Sequence, residues 1–292
     1  MTTPVRTRRP RPPLLDRPAV LSGGTAPYRL SAALCAVTVA AAAPTLLWPS
    51  LLSGPAVMVG SARGTALVLL LATVPLVLVA MRMTARGSAR ALVVWLGALA
   101  HVLYQALMFS LATPLNSLFL LYVAMLGLSL WSAGVLVVRT DVRALASRFD
   151  GPPVRLVAGV LATVAVLNAL AWLGRIVPTI GSDDPTSILD GSGLTTNPVI
   201  LQDLALWVPL AVVAAVWLWR RAAPGFLAAG ALLVFWTLEG VTVATDQLFG
   251  HAADPSTEWA TPAAAVLFAV LAVVTLVPAV LHVRALDRRS TA

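Results

Sequence analysis

Apolar runs of roughly 20 residues, the length that crosses a bilayer as an α-helix, recur along the chain with short polar connections between them. The runs cover residues 29–48, 65–83, 91–111, 118–138, 156–173, 201–219, 225–250 and 262–281. Lipid offers backbone groups no hydrogen bonds, so each run must satisfy its own as a helix. The pattern therefore predicts an all-α polytopic bundle of eight spans, occupying residues 28–283. The first run is too long for a signal-peptide core and reads as a retained span. Pro75 lies inside the second span, where its missing N–H predicts a kink.

The polar connections carry less information. Residues 49–63 read as a short loop, and 139–155 leaves room for a short interfacial helix. The longest connection, 176–200, contains the turn-forming stretch DGSGLTTNP and reads either as an ordered cap over the outer pocket or as an ordinary exposed loop. Residues 1–27, rich in Arg and Pro, read as a disordered cytosolic tail, and 284–292 as a basic cytosolic tail. No internal repeat stands out in the motifs.

Composition agrees with the pattern: 59% of residues are hydrophobic and only 11% charged, against about 25% in soluble chains. The net charge of +8 comes from arginine, with no lysine. With eight spans, all arginines except Arg63 and Arg175 fall on the side that holds both termini. The positive-inside rule makes that side the cytosol, with the chain expected in a plasma membrane. The arginines are thus explained by topology and by contact with anionic lipid. They have no interleaved aromatic residues, which excludes a nucleic-acid interface. The lone Cys35 permits no internal disulfide and no cysteine metal cluster.

Within this frame the interrupting polar residues are informative. The seventh span carries Glu239 inside and Asp246 near its outer end. A carboxylate at membrane depth costs about 2.5 kcal/mol or more and is a functional-site candidate by default. At about 1.5 Å per residue Glu239 lies roughly 21 Å along the helix from Gly225, near the midplane. Glu239, Thr242 and Asp246 share one helix face, and His101 and Gln105 share another on the third span. If the faces meet, they form an acidic pocket open to the outside. Asn168, Asp203, Arg175 and Tyr122 lie at similar depth in the outer half and complete the candidate set. Asp203 also has a plainer reading as a carboxylate favoured by free N–H groups in a first helical turn. Arg175 would pair with Asp246 or Asp203, bind an anionic headgroup, or anchor at the interface. No motif identifies a catalytic residue, a cofactor or a metal site.

The stretches NSLFLLYVA (116–124), GLTTNPVILQDLALWVPL (193–210) and WLWRR (217–221) resemble an uncharacterised family of bacterial multi-pass membrane proteins, and the Arg/Ala-rich composition looks actinobacterial. The resemblance implies that the 193–221 connection, including Asp203, belongs to the family architecture, and it carries no activity. Three function classes fit the residues. The first is transport or binding of a small solute or ion, with proton coupling through Glu239 or His101. The second is an intramembrane enzyme acting on a lipid or lipid-linked group, with Glu239 or Asp246 as base. The third is a structural or sensory subunit whose outer loops contact a partner protein.

Overall fold

The computed structural model describes residues 20–286. Eight of its helices are long and apolar enough to cross a membrane: α1 (Ala26–Leu47), α2 (Ala56–Ala85), α3 (Ala89–Leu111), α4 (Phe119–Arg139), α5 (Val154–Ile180), α6 (Pro198–Trp219), α7 (Ala223–Ala253) and α8 (Pro262–Arg284). No β-strand occurs among the described residues. A short helix, Val142–Ser147, fills the 139–155 connection and is capped by Asp141. The chain is thus a multi-pass helical bundle. Helices α2, α3 and α7 form its buried centre, and α4, α5 and α8 turn rows of bare apolar side chains such as Leu120, Leu170 and Val270 outward. Such a girdle suits lipid and is foreign to a soluble surface.

Two connections are shorter than their composition suggests. Most of 49–63 is helix, because α2 begins at Ala56. Gly60 and Gly64 lie one helical turn apart there and let α2 meet α7 backbone to backbone, the small-xxx-small solution to packing in lipid. Likewise α5 continues to Ile180, so the loop starts at Gly181 and Arg175 is helical. The expected N-terminal tail lies outside the described residues as far as residue 19, as do residues 287–292 of the C-terminal one.

Local chemistry sets the helix ends. Ser88 caps α3 by accepting from the Ala91 N–H. Asn197 caps α6 by accepting from Val199 and Ile200, and Thr261 caps α8 by accepting from Ala264. Pro198 and Pro262 occupy the first turns of α6 and α8, where a missing N–H costs nothing.

The helices are arranged as two like halves. In α1–α4, α1 packs on α2 and α4, and α3 on α2 and α4; in α5–α8, α5 packs on α6 and α8, and α7 on α6 and α8. Two apolar cores form, one mainly from α1–α4 with Leu227, Ala231 and Leu238 of α7, the other mainly from α5–α8 with Tyr104 of α3. Each half is also closed by pairing of the segment that leads into it with the segment that leaves it: Leu21 bridges Thr140, and Phe149 bridges Leu286. The halves meet where α7 packs on α2 and crosses α3. Gly97 faces the Ala231 carbonyl and Val234 there, and Gly230 faces Val93 and His282.

The correspondence extends to local geometry. Gln105 and Glu239 are 134 residues apart. The same offset relates the π-helical turns Leu69–Thr73 and Asp203–Trp207, the segments Val74–Ala85 and Val208–Trp219 that follow them, and the first residues of α3 and α7. Each wide turn precedes a Val-Pro-Leu triplet, at Pro75 and Pro209. Proline offers no N–H to the carbonyl four residues back and its ring crowds that carbonyl, so the helix widens locally. The kink expected at Pro75 thus takes the form of a π-turn, and α6 repeats it.

Candidate functional site

Glu239 stands in the middle of α7, opposite Gln105 on α3. The Gln105 amide donates to the Glu239 carboxylate at 2.5 Å. His101, one turn earlier on α3, places Nε2 at 3.5 Å from the same carboxylate oxygen. The imidazole is completely buried and held on both sides by hydroxyls. Its Nδ1 lies 3.0 Å from Thr73 Oγ1 in the π-turn of α2, and its Nε2 lies 2.9 Å from Thr242 Oγ1 on α7. The faces expected on the third and seventh spans do meet, and α2 supplies Thr73 as a further wall. Glu239 is the reachable member of the group, with 15% of its side chain exposed against none of His101.

A second polar group adjoins the first through Tyr104, the neighbour of Gln105. Asp203, in the π-turn of α6, accepts from Trp172 Nε1 at 2.8 Å and Asn168 Nδ2 at 3.1 Å, both on α5, and from the Tyr104 hydroxyl. Asp203 is therefore no first-turn carboxylate using free N–H groups. It lies beyond the first turn of α6 and is bound by side chains from two other helices. Tyr104 also packs its ring on Trp207 and Phe235, which stack with centroids 4.3 Å apart. By the offset of 134, Trp207 and Phe235 occupy the positions that Thr73 and His101 hold in the first half. The junction of the halves is thus polar on one side of the Gln105–Glu239 contact and aromatic on the other.

The remaining candidates sit apart. The Asp246 backbone lies against Gly64 and its carbonyl accepts from Ser61 at 3.3 Å, while its carboxylate meets Gln247 at 3.4 Å. The Arg175 side chain is exposed, and no ion pair links it to Asp246 or Asp203 among the described residues. Tyr122 is buried between α1 and α3, stacked on Phe109 and 3.5 Å from Thr45 Oγ1. Arg63 points its Nε at the Leu46 carbonyl of α1. Among the described residues no Arg side chain therefore contacts Glu239 or Asp203, and His101 is the one ionisable base beside Glu239. Nor is any trio of His, Cys, Asp or Glu placed to hold a metal there.

The connection 181–197 folds back over the ends of the helices. Trp259 Nε1 donates to the Asp190 carbonyl at 2.6 Å, and Gly193, at φ +69°, sits against Pro55 at the head of α2. The Thr186 hydroxyl and N–H both donate to Asp184 and hold its carboxyl below the usual carboxylate range.

Sequence reasoning passed over Thr73 and Trp172. Thr73 and Trp172 were hidden as an unremarkable hydroxyl and a boundary tryptophan. The duplicated Val-Pro-Leu triplet is the signal that would have marked both π-turns.

Asp203 gives a direct test of the second group. Asp203→Ala leaves the Trp172, Asn168 and Tyr104 donors without their acceptor, at about 1–3 kcal/mol per unsatisfied group. The thermal midpoint in detergent is expected to fall by several degrees, and Asp203→Asn to recover most of it. An unchanged midpoint in Asp203→Ala would show that the three bonds carry no stability.

No protein-family profile matches the chain, and no curated protein or solved structure is significantly similar to it.

Proposed function

We propose that the protein carries a small solute or ion across the bacterial cytoplasmic membrane, with both termini in the cytosol and its site at the junction of the two halves. One observation carries this reading: the Glu239–Gln105 contact lies where two like four-helix halves meet, in the middle of the bundle. Carriers built from parallel repeats keep substrate and coupling-ion sites near the bilayer midplane at the repeat interface, so that rocking the halves exposes the site to either side. The interrupted helices α2 and α6 fit the same plan, because π-turns cluster at functional positions. The crossing through Gly97, Gly230 and Ala231 gives the halves a small-residue bearing.

A signalling or structural subunit would need no uncompensated carboxylate at this depth. The enzyme reading lacks a nucleophile and a base placed against a common substrate position. The arginine offered as a headgroup contact, Arg175, stands away from Glu239.

The experiment is flux into liposomes reconstituted with the full chain, using a panel of monovalent ions and small neutral and charged solutes. Uptake above protein-free liposomes that saturates with concentration is expected for at least one member. Absence of both flux and saturable binding across the panel would remove the carrier reading.

A further inference from the structure

We infer that the Glu239–His101 pair holds either one proton or one monovalent cation, and that the protein exchanges the one for the other. The inference deepens the carrier reading above and rests on it.

The argument begins with charge. The carboxylate of Glu239 is met by the Gln105 amide, which is neutral, and by His101, which is charged only when doubly protonated. The groups that face the pair can be named helix by helix. On α7 itself there is Asp246, two turns outward. On α3 there is Tyr104, and on α6 Asp203, which Tyr104 binds. From α2 only Thr73 touches it, with Arg63 turned toward the Leu46 carbonyl. From α8 the polar contact with this stretch of α7 is Thr275 to Thr237, and His282 binds the Phe226 carbonyl at the other end of the helix. Among the described residues no fixed positive charge offsets Glu239. One proton makes the pair neutral whether it rests on the carboxyl or on the ring. Without that proton the pair carries one negative charge in apolar surroundings, a state that a buried site escapes by taking up a counter-charge.

The hydrogen bonds allow the change. Thr242 Oγ1 donates to the Leu238 carbonyl and so accepts from the Nε2–H, while the Thr73 hydroxyl, by rotating, donates to Nδ1 of the neutral ring or accepts from it in the doubly protonated one. His101 therefore gains or loses a proton without losing a partner. Gln105 has the same ambivalence. Its amide N–H serves the carboxylate, and turning the amide over presents its oxygen to a cation held by Glu239. One carboxylate with amide and hydroxyl neighbours balances a single positive charge. A divalent metal would need more anionic ligands than are placed there. Access divides the roles: Glu239 is the exposed member that a cation reaches, and His101 is the buried one. Charge balances in each turn, with one cation bound as one proton leaves.

The test uses the full chain in detergent at low buffering with a pH indicator, and sodium, potassium or ammonium chloride as probes against choline chloride. One of the three small cations is expected to release about one proton per bound ion, saturably, while choline releases none. Glu239→Gln should abolish the release. Glu239→Asp, which keeps the charge, should retain it at higher cation concentration. Liposomes carrying the wild type should collapse an imposed pH gradient when the same cation is added. Cation uptake without proton release would overturn the exchange and leave the carrier reading standing. Release that persists in Glu239→Gln would overturn the assignment to this pair. Absence of binding and flux for every ion and solute would remove both.

Discussion

Replacing Glu239 with glutamine is expected to leave a folded, inserted protein that no longer transports. Glutamine keeps the length and planarity of the side chain, and its amide can still meet Gln105. What disappears is the charge and the proton that balances it. A hydrogen bond to a charged group contributes about 1.5–3 kcal/mol, which corresponds to a roughly 10- to 100-fold weaker hold on a cation. Transport that depends on the carboxyl should fall by at least that much. Thermal midpoint and elution profile should stay near wild type, because a neutral amide is easier to bury than a carboxylate. Glu239→Ala should differ. It strands the Gln105 amide and costs about 1–3 kcal/mol of stability in addition to the loss of transport. The pair of measurements separates two roles for the residue. If Glu239→Gln melts far below wild type, Glu239 is chiefly a structural clamp between α3 and α7. Wild-type flux in the same variant would remove it from the site.

The largest effect on folding is expected at Gly64. A Cβ built there would lie 2.7 Å from the Asp246 Cα and 2.9 Å from both the Asp246 N and the Thr245 carbonyl oxygen. These are backbone atoms of α7 and cannot rotate away. Gly60, one turn earlier, would meet the Phe249 carbonyl in the same way. Gly64→Leu must therefore push α2 from α7, beyond the usual 1–3 kcal/mol or so for overpacking a core. We expect little monodisperse protein in detergent. Gly127→Ala is the control: nothing lies within 4 Å of a Cβ at that site, and alanine in a helix interior gains about 0.5–1 kcal/mol over glycine. Equal behaviour of the two variants would show that the α2–α7 contact is loose.

The same glycines explain what the sequence left hidden. Hydropathy sums over a window and finds the spans, because each must be apolar along its length. Gly60, Ser61, Arg63 and Gly64 lower that sum and resemble a loop, although in lipid small residues are what permits close helix contact. Arginine placement conveys the number of crossings for a similar reason, since each charge reports only a side. Glu239 was legible because a carboxylate in an apolar run conflicts with its surroundings, and its face on α7 followed from helical spacing. The pairing with Gln105 is a product of the four-plus-four arrangement. That arrangement is written in spacing rather than in residue type: of the positions related by the offset of 134, Thr73 and His101 face Trp207 and Phe235, so side-chain identity conceals the likeness. Asp203 was noticed for its charge, but its partners come from helices far away in sequence.

The two bridges at the ends of the halves bear on how the chain is made. Leu21 pairs with Thr140, so both members of the first clasp precede α5 in the chain. The first four helices can latch as a unit, with Asp141 fixing the turn that follows. The second unit then assembles against a finished neighbour and locks when Leu286 reaches Phe149. Each half thus carries its own clasp, while the Glu239–Gln105 contact exists only once the second half packs on the first.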